Sequence, residues 1–291
     1  MKLVTYEAAD RARVGLVHDG RVADLAELGI DAADMLQLLR SGLDRLAAAA
    51  RRGLPAGRPL DEVRLLAPVP RPGKIIGVGR NYRAHAAEGG LETQEKPRLF
   101  TKVPSSVTGP DGPVEKPAIV TKLDWEAEIA VVVGRTMRDV PEDRALDYVA
   151  GYTLLNDVSA REFQFDVKPP QTSFAKSMDG FCPMGPWLVT ADEIPDPGHL
   201  RLTCRVNGAL MQDGNTRDMI FPIPLILSYV SRYLALEPGD VIATGTPDGV
   251  GVFRKPPVFL QPGDRVEVAC PAIGVLGNTV VERAGGQGGA T

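Results

Sequence analysis

Two glutamates, Glu126 and Glu128, stand at the start of an apolar, β-branched segment that runs through residues 129–133. Such a segment is typical of a strand that enters the protein interior. Side chains two residues apart on a strand point to the same face, so the two carboxylates lie side by side. Their charges repel and their burial is costly, and a cation between them would offset both effects. The pair therefore indicates a metal site, with a solvated strand end as the alternative.

A third carboxylate, Asp157, follows another apolar segment, residues 151–156. An acid at a strand end beside the Glu126/Glu128 strand could complete a three-carboxylate site. Oxygen ligands suit hard cations such as Mg²⁺, Mn²⁺ or Ca²⁺ and disfavour zinc. An octahedral ion with only three protein ligands keeps positions open for water and substrate. The alternative is an aspartate that is unrelated to the glutamate pair.

His85 and Glu88 form a second constellation. If Asn81 caps a short helix that Gly89 and Gly90 end, the two side chains face the same side of that helix at i,i+3. A carboxylate bonded to an imidazole fixes the tautomer of the ring and raises its basicity, which suits a general base that acts on water. An ordinary surface His–Glu pair is the alternative.

Three further segments contain polar residues that could contact a substrate. Lys176, in an apolar and turn-rich stretch, could stabilise a developing enolate or oxyanion, or it could form a structural ion pair with Asp179. Arg161 and Gln164 could hold a carboxylate, because a guanidinium matches planar anions, or they could be ordinary helix-surface residues. The glycine-rich loop at 244–251 could bind a substrate carboxylate through its N–H groups, or be a plain loop.

The elements that must position these residues are mostly short strands, since the chain has 31 glycines and 25 prolines. Residues 1–66 are predicted to form a small N-terminal module, residues 67–282 the catalytic domain, and residues 283–291 a disordered tail. Helices are predicted at 31–52 and 223–236. Strands are predicted at 3–8, 13–17, 21–24, 74–78, 129–133, 151–155, 187–190, 202–206, 241–244 and 265–269.

Composition excludes several classes of protein. Hydrophobic residues make up 44% of the 291 residues and charged residues 24%, which is ordinary for a soluble globular protein. A net charge of -4 gives no basic field for nucleic acid. No apolar run approaches the roughly 18–20 residues that cross a bilayer, and the first residues lack the apolar region of a secretory signal. The three cysteines are scattered, so neither disulfides nor a zinc site is indicated, and we expect a cytoplasmic protein.

The order of these motifs along the chain identifies a protein family more specifically than any single motif does. Over about residues 70–282 the sequence resembles the fumarylacetoacetate hydrolase family, and residues 1–66 resemble the small extra domain of its bacterial members. Six segments carry the resemblance in the family's order: VGRNY-x-x-H-x-x-E (78–88), DWEAE (124–128), NDVSAR (156–161), KS-x-D-x-F-x-P-x-GP (176–186), VNG (206–208) and TGTP-x-GVG (244–251).

The resemblance implies an α+β, mostly β fold, namely the family's mixed β-roll with a small N-terminal α/β module, assembled as a homodimer. It implies one divalent cation, Mg²⁺ or Mn²⁺ or else Ca²⁺, bound by Glu126, Glu128 and Asp157. It also implies a water-activating His85/Glu88 pair on a short lid. Charge stabilisation is assigned to Lys176, and substrate binding to Arg80, Tyr82, Arg161, Gln164, Asp179 and Thr246.

The implied reaction is the hydrolysis of a C–C bond in a small keto acid of the acylpyruvate type, as in the catabolism of aromatic compounds. Water deprotonated by His85 attacks the distal carbonyl, and an enolate such as that of pyruvate leaves. The same site would serve oxaloacetate decarboxylation or the isomerisation or tautomerisation of hydroxy-dienoic acids. A non-catalytic metal-binding protein is a further alternative, against which His85, Glu88 and Lys176 argue. Ala175 replaces a glycine of many relatives, so no particular substrate is carried over.

Overall fold

The computed structural model describes residues 1–9, 11–90 and 92–283. The predicted tail, residues 283–291, therefore lies outside the described residues except for Arg283. Within the described part, strands dominate over helices, and the predicted α+β, mostly β class is confirmed. No helix among these residues has the length and apolar character needed to cross a membrane.

Residues 1–66 contain a small antiparallel set of strands and two short helices. The strands are Lys2–Ala8 (β1), Arg11–His18 (β2), Arg21–Asp24 (β3), Arg58–Pro59 (β4) and Leu65–Leu66 (β5), and the helices are Met35–Ser41 (α1) and Asp44–Ala50 (α2). The predicted hairpin turn is confirmed, since Asp19 and Gly20 both have positive φ, as a two-residue hairpin loop requires. The single helix predicted at 31–52 is wrong, because Gly42, with φ of 82°, ends α1.

The remaining residues supply the other strands and four helices of the described chain. The strands are Ile75–Gly79 (β6), Arg98–Lys102 (β7), Val107–Thr108 (β8), Pro113–Lys116 (β9), Leu123–Asp124 (β10), Ala127–Val133 (β11), Val149–Asn156 (β12), Ser159–Ala160 (β13), Cys182–Thr190 (β14), Arg201–Val206 (β15), Ala209–Asn215 (β16), Val241–Ala243 (β17), Arg265–Cys270 (β18) and Gly274–Glu282 (β19). The helices are Arg83–Glu88 (α3), Arg161–Phe165 (α4), Thr172–Ala175 (α5) and Ile223–Ser231 (α6). Along the whole described chain, short 3-10 helices lie between these elements, two of them within residues 1–66. They are Leu25–Leu28, Leu60–Glu62, Pro104–Ser106, Glu142–Tyr148, Ala191–Glu193, Pro197–His199 and Thr216–Asp218.

All ten predicted strands are present, nine of them with shifted ends, but the helix predicted at 223–236 ends earlier than expected. It stops at Ser231 because the chain then turns to pair Leu236 with Met137 through two backbone hydrogen bonds of 2.8 and 3.0 Å. The strand β7 was not predicted at all, and this omission matters because β7 forms one wall of the site described below.

The strands form two main sheets. The larger has the order β4-β3-β2-β1-β14-β12-β11-β17-β6-β7, with β5 added to β1 and β8 to β14. The smaller has the order β16-β15-β18-β19-β9, and β10 pairs with β13 separately. Because β1 pairs with β14, the strands of residues 1–66 continue the sheet of the rest of the chain. The division at residue 66 stays a prediction.

The register of the central strands decides where polar side chains meet. All seven residues of β11 are buried, as expected for an apolar, β-branched strand with neighbours on both sides. β11 pairs antiparallel with β12, so that Ala127 lies opposite Asn156. The backbone N–H of Asp157 donates to the carbonyl oxygen of Glu126 at 2.8 Å. The beginning of one buried strand and the end of the other are thereby fixed side by side.

Candidate metal centre and active site

The strand register brings Glu126, Glu128 and Asp157 together. One carboxylate oxygen of each residue lies within 4.8 Å of those of the other two, and all three side chains are buried. Three carboxylates at this separation in the protein interior have the geometry and the donor chemistry of a site for one hard divalent cation.

Electrostatics distinguish the two glutamates. Burial and the charges of Asp157 and Glu126 raise the pKa of Glu128 well above its ordinary value. Burial acts in the same direction on Glu126, but the charges of Lys176 and Arg161 outweigh it and lower the pKa of Glu126 below its ordinary value. Glu128 accepts a hydrogen bond from Gly245 N at 2.8 Å. Its remaining uncompensated charge is what a bound cation would neutralise, so these residues fit a divalent ion.

Lys176 is a buried cation bonded directly to two of the acids. Its ammonium donates to Glu126 Oε2 at 2.7 Å, to Asp157 Oδ2 at 2.6 Å and to Ser159 Oγ at 2.7 Å, which uses all three N–H bonds. Burial opposes this charge, but the two carboxylates raise the pKa of Lys176, so it is protonated at neutral pH. Lys176 therefore acts as a cation and not as a base.

The alternative of a Lys176–Asp179 ion pair is wrong. Asp179 is about half exposed and accepts a hydrogen bond from Arg283 at 2.8 Å instead. It is not among the residues that line the cavity. Tyr82 does not line the cavity either: it is buried, and its hydroxyl has no hydrogen-bond partner among the described residues. The substrate contacts implied for Asp179 and Tyr82 are therefore not supported by the geometry.

A second buried lysine, Lys102, was missed by the sequence analysis. It donates to Asp157 Oδ1 at 2.7 Å and to the backbone carbonyl of Lys176. Asp157 is thus held between two ammonium groups, one on each oxygen. The sequence shows only that Lys102 is the last residue of the strand Arg98–Lys102. Its partner Asp157 is 55 residues away, so no local pattern predicts the contact.

Arg161 connects the carboxylates to the cavity. Its Nε donates to Asp124 Oδ2 at 2.8 Å, and Nη1 donates to Glu126 Oε1 at 2.6 Å and to Gln164 Oε1 at 2.9 Å. The side chain is only 3% exposed, so the helix-surface alternative is wrong for Arg161. Its Nη2 is buried and has no partner among residues 1–9, 11–90 and 92–283. A buried N–H of this kind is available to an acceptor on a bound molecule.

Asp124, to which the sequence analysis assigned no role, holds Arg161 and the glycine-rich loop in place. Besides the bond from Arg161, its carboxylate accepts hydrogen bonds from Gly251 N at 2.7 Å and from Val252 N at 3.0 Å. It therefore fixes both the direction of Arg161 and the end of the glycine-rich loop.

His85 and Glu88 face each other on α3. His85 Nδ1 lies 2.7 Å from Glu88 Oε1, and Glu88 Oε2 accepts from Gly249 N at 2.9 Å. A carboxylate at Nδ1 favours the tautomer with the proton there, which leaves Nε2 as the basic atom. His85 is 7% exposed, so the surface-pair alternative is wrong.

The role predicted for Asn81 is wrong, because the N-cap position of α3 is Tyr82 and no side chain caps it. The Asn81 amide instead donates to the carbonyl oxygens of Phe221 and Thr244 at 3.0 and 2.8 Å, and its oxygen accepts from Phe221 N. Asn81 therefore ties the segment before the helix to two distant parts of the chain.

These groups surround one cavity of about 320 Å³. Asp157 and Glu88 lie directly behind its wall, bonded to Lys176 and His85. The predicted residues that line it are Arg80, His85, Glu126, Glu128, Arg161, Gln164, Lys176 and Thr246, and the residues that were not predicted are Val78, Gly79, Arg98, Phe100, Phe165, Pro170, Thr172 and Phe253. The structure thus brings together the acids, the histidine, the lysine and the arginines in one space with aromatic walls.

The loop that holds Glu88 provides a first test of this arrangement. A Cβ added to Gly249, which has φ of 99°, would lie 2.1 Å from Met211 O. We expect Gly249→Ala to move the loop, to release Glu88 and to lower turnover by about 10- to 100-fold, as small displacements of catalytic groups do. Gly263→Ala is the matched control, since Gly263 has φ of 96° but open space around it. Equal turnover of the two variants would contradict the role of this loop.

Comparison with known proteins agrees with this description. The sequence profile described as "Fumarylacetoacetate (FAA) hydrolase C-terminal" matches residues 74–281. The chain is 40% identical over 299 residues to an oxaloacetate tautomerase, the mitochondrial fahd2 protein of Xenopus laevis, over 97% of this chain and 90% of the relative.

Two solved structures share the fold over nearly their full length. The maleylpyruvate hydrolase of Sphingobium sp. SYK-6, solved with manganese(II) and pyruvate, matches with a TM-score of 0.81 at 36% identity, over 98% of this chain and 100% of that one. The 2-hydroxyhepta-2,4-diene-1,7-dioate isomerase of Mycobacterium marinum matches with a TM-score of 0.77 at 33% identity, over 98% and 99% of the two chains.

Buried carboxylates beside a small cavity that also contains a histidine and a lysine are the arrangement of an enzyme that acts on small molecules. The chain belongs to the fumarylacetoacetate hydrolase family. The resemblance drawn from the six sequence motifs is therefore confirmed, together with the mixed β-roll that it implied. The family contains tautomerases, isomerases and hydrolases, so membership leaves the reaction to be argued from the site.

Proposed function

We propose that the protein is a divalent-metal-dependent hydrolase that cleaves a C–C bond in a β-diketo acid of the acylpyruvate type. The observation that carries this proposal is the His85–Glu88 pair, because His85 lines the same cavity as Glu126 and Glu128 of the carboxylate cluster. A base at this position is required when water is a reactant. We also propose that the protein is a homodimer and that it takes part in the catabolism of aromatic compounds.

In this proposal Glu126, Glu128 and Asp157 hold one Mg²⁺ or Mn²⁺ ion. When bound there, the ion would supply Lewis-acid stabilisation of negative charge on the oxygens of a keto acid. The fit rests on the donor set and on the raised pKa of the buried Glu128. The manganese in the related maleylpyruvate hydrolase supports the class of metal.

Other side chains of the cavity bind the substrate carboxylate and stabilise the negative charge that develops. Arg161 donates to the substrate carboxylate through Nη2, which has no partner among the described residues, and Gln164 and Thr246 assist it. The ammonium of Lys176 stabilises the negative charge of the enolate as it develops. All three of its N–H bonds are already donated, to Glu126, Asp157 and Ser159. To donate to the substrate, Lys176 must therefore break one of these three hydrogen bonds.

His85 removes a proton from water through Nε2, while Glu88 stabilises the imidazolium that forms. The water oxygen bonds to the distal carbonyl carbon, and the bond from that carbon to the adjacent methylene breaks. The electron pair of the broken bond becomes the enolate of pyruvate, which then takes up a proton. The products are pyruvate and one carboxylic acid, so atoms and charge balance.

A second candidate is an oxaloacetate tautomerase, which the similarity to the Xenopus laevis enzyme favours. Tautomerisation moves a proton between carbon and oxygen, and His85 could serve as the base for it. No second acid is released in that reaction, nor is any C–C bond cleaved. Product analysis therefore distinguishes the two functions, and it equally identifies decarboxylation or the isomerisation of a hydroxy-dienoate.

The test is His85→Gln, assayed with Mn²⁺ and an acylpyruvate. We expect hydrolysis to fall by about 10²- to 10⁴-fold, the usual contribution of a positioned base, while Mn²⁺ binding is retained. His199→Gln is the matched control, because His199 forms the same kind of pair with Asp196 at 2.7 Å on the exposed surface. Undiminished release of pyruvate and acid by His85→Gln would refute His85 as the base. Failure of the wild type to release them would refute the hydrolase, and interconversion of oxaloacetate tautomers without cleavage would establish the second candidate.

A further inference from the structure

The glycine-rich loop at 244–251 rests on a strand of the smaller sheet. A Cβ added to Gly214 of that strand, β16, would lie 2.4 Å from the Cβ of Pro247 in the loop. The strand and the loop are therefore in direct contact. Gln212, also in β16, is a polar side chain buried at this contact.

Gln212 bridges a gap in the larger sheet. β11 and β17 pair antiparallel, and the register of that ladder, if it continued, would place Ala127 opposite Thr246. The ladder ends before that point, because the chain leaves β17 for the glycine-rich loop. Ala127 N donates instead to Gln212 Oε1 at 3.0 Å. The amide nitrogen of Gln212 donates to Thr246 Oγ1 and to Pro247 O, both at 2.8 Å.

The partners of Gln212 fix the orientation of its amide. The backbone N–H of Ala127 can only donate, and the backbone carbonyl of Pro247 can only accept. The amide oxygen therefore faces Ala127 and the amide nitrogen faces Pro247, since the opposite assignment would place donor against donor and acceptor against acceptor. Thr246 Oγ1 is consequently the acceptor in its bond with Gln212, and its own proton points elsewhere.

The Thr246 hydroxyl has its proton available for the cavity. Thr246 lines the cavity together with Glu126 and Arg161. Among residues 1–9, 11–90 and 92–283, no group accepts a hydrogen bond from Thr246 Oγ1, which is bonded only as the acceptor of Gln212. A buried O–H in this state can donate to an oxygen of a bound molecule. Gln212 thus sets the polarity of this part of the wall, so that Thr246 donates there.

We propose that Gln212 is a positioning residue that makes Thr246 a hydrogen-bond donor toward the substrate carboxylate. This inference rests on the proposed function for the carboxylate that Thr246 contacts. The same amide holds Ala127, the residue between Glu126 and Glu128, so it keeps the donor at a fixed place relative to the carboxylate cluster. Gln212 does not line the cavity and acts only through the groups that it holds.

A double-mutant cycle tests this role, with oxalate as the ligand. Oxalate has the adjacent oxygens of an α-keto acid but no distal carbonyl for water to attack, and its binding at saturating Mn²⁺ is measured by titration calorimetry. Thr246→Val removes a donor to a charged group, so oxalate should bind at least about tenfold more weakly. Gln212→Met keeps the length of the side chain but no longer orients the hydroxyl, and it should weaken binding by about 2- to 12-fold, as loss of an ordinary hydrogen bond does. The double variant should bind oxalate within about twofold of Thr246→Val, because the two residues act as one unit.

Two further variants separate positioning from a general loss of stability. Thr246→Ser keeps the hydroxyl and should restore both oxalate binding and its dependence on Gln212. Asn278→Leu removes another buried amide, which donates to Gly109 O and Gly112 O at 2.9 and 2.8 Å and does not line the cavity. Chemical denaturation should show that Asn278→Leu loses stability, while calorimetry should show unchanged oxalate binding.

Losses that multiply in the double variant would overturn the inference, because Gln212 would then act independently of Thr246. Undiminished oxalate binding by Gln212→Met, an equal loss in Asn278→Leu, or absence of oxalate binding to the wild type would overturn it as well. Failure of the proposed function has a different signature. The wild type would then leave an acylpyruvate uncleaved, while the coupling between Gln212 and Thr246 in oxalate binding would persist and support the inference.

Discussion

Replacing Glu128 with glutamine should abolish turnover and weaken Mn²⁺ binding by at least about a hundredfold, while the metal-free protein stays as stable as the wild type or becomes more stable. The reason is the raised pKa of Glu128, which burial and the charges of Asp157 and Glu126 produce. A carboxyl whose pKa is higher in the folded than in the unfolded state destabilises the fold when it ionises at neutral pH. Glutamine keeps the shape and the acceptor for Gly245 N but removes that charge.

Thermal melting with and without Mn²⁺ measures the stability and the metal binding, and an assay with an acylpyruvate measures the turnover. For the wild type, Mn²⁺ at a hundred times its Kd should add about 2.7 kcal/mol to the free energy of unfolding. Glu128→Gln should show almost none of this increase. Glu62→Gln, at an exposed glutamate outside the cavity, is the control and should respond like the wild type. A wild-type response of Glu128→Gln to Mn²⁺ would remove Glu128 from the proposed ligand set.

Lys176→Met should give the opposite pattern, with metal binding retained or strengthened and turnover lost. The lysine shares the neutralisation of Glu126 with Arg161 and that of Asp157 with Lys102, so its removal leaves each buried acid with one cationic partner instead of two. Complete loss of a buried ion-pair partner costs about 3–5 kcal/mol, and we expect the metal-free variant to lose up to that much stability. Added Mn²⁺ should recover much of the loss, because the same acids then bind the ion. Turnover should still fall by about 10²- to 10³-fold, as it does when one donor to a developing oxyanion is removed.

Chemical denaturation in the presence and absence of Mn²⁺, together with kcat for an acylpyruvate, checks this prediction. Lys74→Met is the control, since Lys74 pairs with the buried Asp240 at 2.7 Å and does not line the cavity. That variant should lose stability without recovery by Mn²⁺ and should keep its kcat. Normal kcat in Lys176→Met would show that the lysine has only a structural role.

The sequence predicted best what depends on local pattern. The β-branched run of residues 129–133 and the Asp19–Gly20 turn specify their own conformations, and both were found as expected. The helix at 31–52 failed because apolar spacing continues across Gly42, where the backbone needs positive φ. The strand β7 was missed because its short run, Arg98–Lys102, has charged ends and takes its conformation from pairing with β6.

In the site, too, the sequence predicted what depends on local pattern and missed contacts between distant residues. The i,i+2 geometry of Glu126 and Glu128 followed from strand periodicity. Their meeting with Asp157 depends on the register of two strands, so the residues alone left it as one of two alternatives and the resemblance selected it. Lys102 and Asp124 bond to groups 55 and 37 residues away, and no local pattern encodes such a contact. Asp179 illustrates the converse, since it stands in a motif yet lies outside the cavity lining and pairs with Arg283.

The carboxylate cluster and the far wall of the cavity are built from different kinds of structure. Glu128 lies in the central strand β11, and Glu126 and Asp157 directly flank β11 and β12, where a backbone shift would disturb the whole sheet. Phe165, Pro170 and Phe253 belong to short helical or irregular segments, which tolerate exchange far better. Mutation can thus reshape what the cavity accepts while the geometry of the carboxylate cluster is inherited intact. This separation gives a structural route by which tautomerases, isomerases and hydrolases could diverge from one ancestor without rebuilding its core.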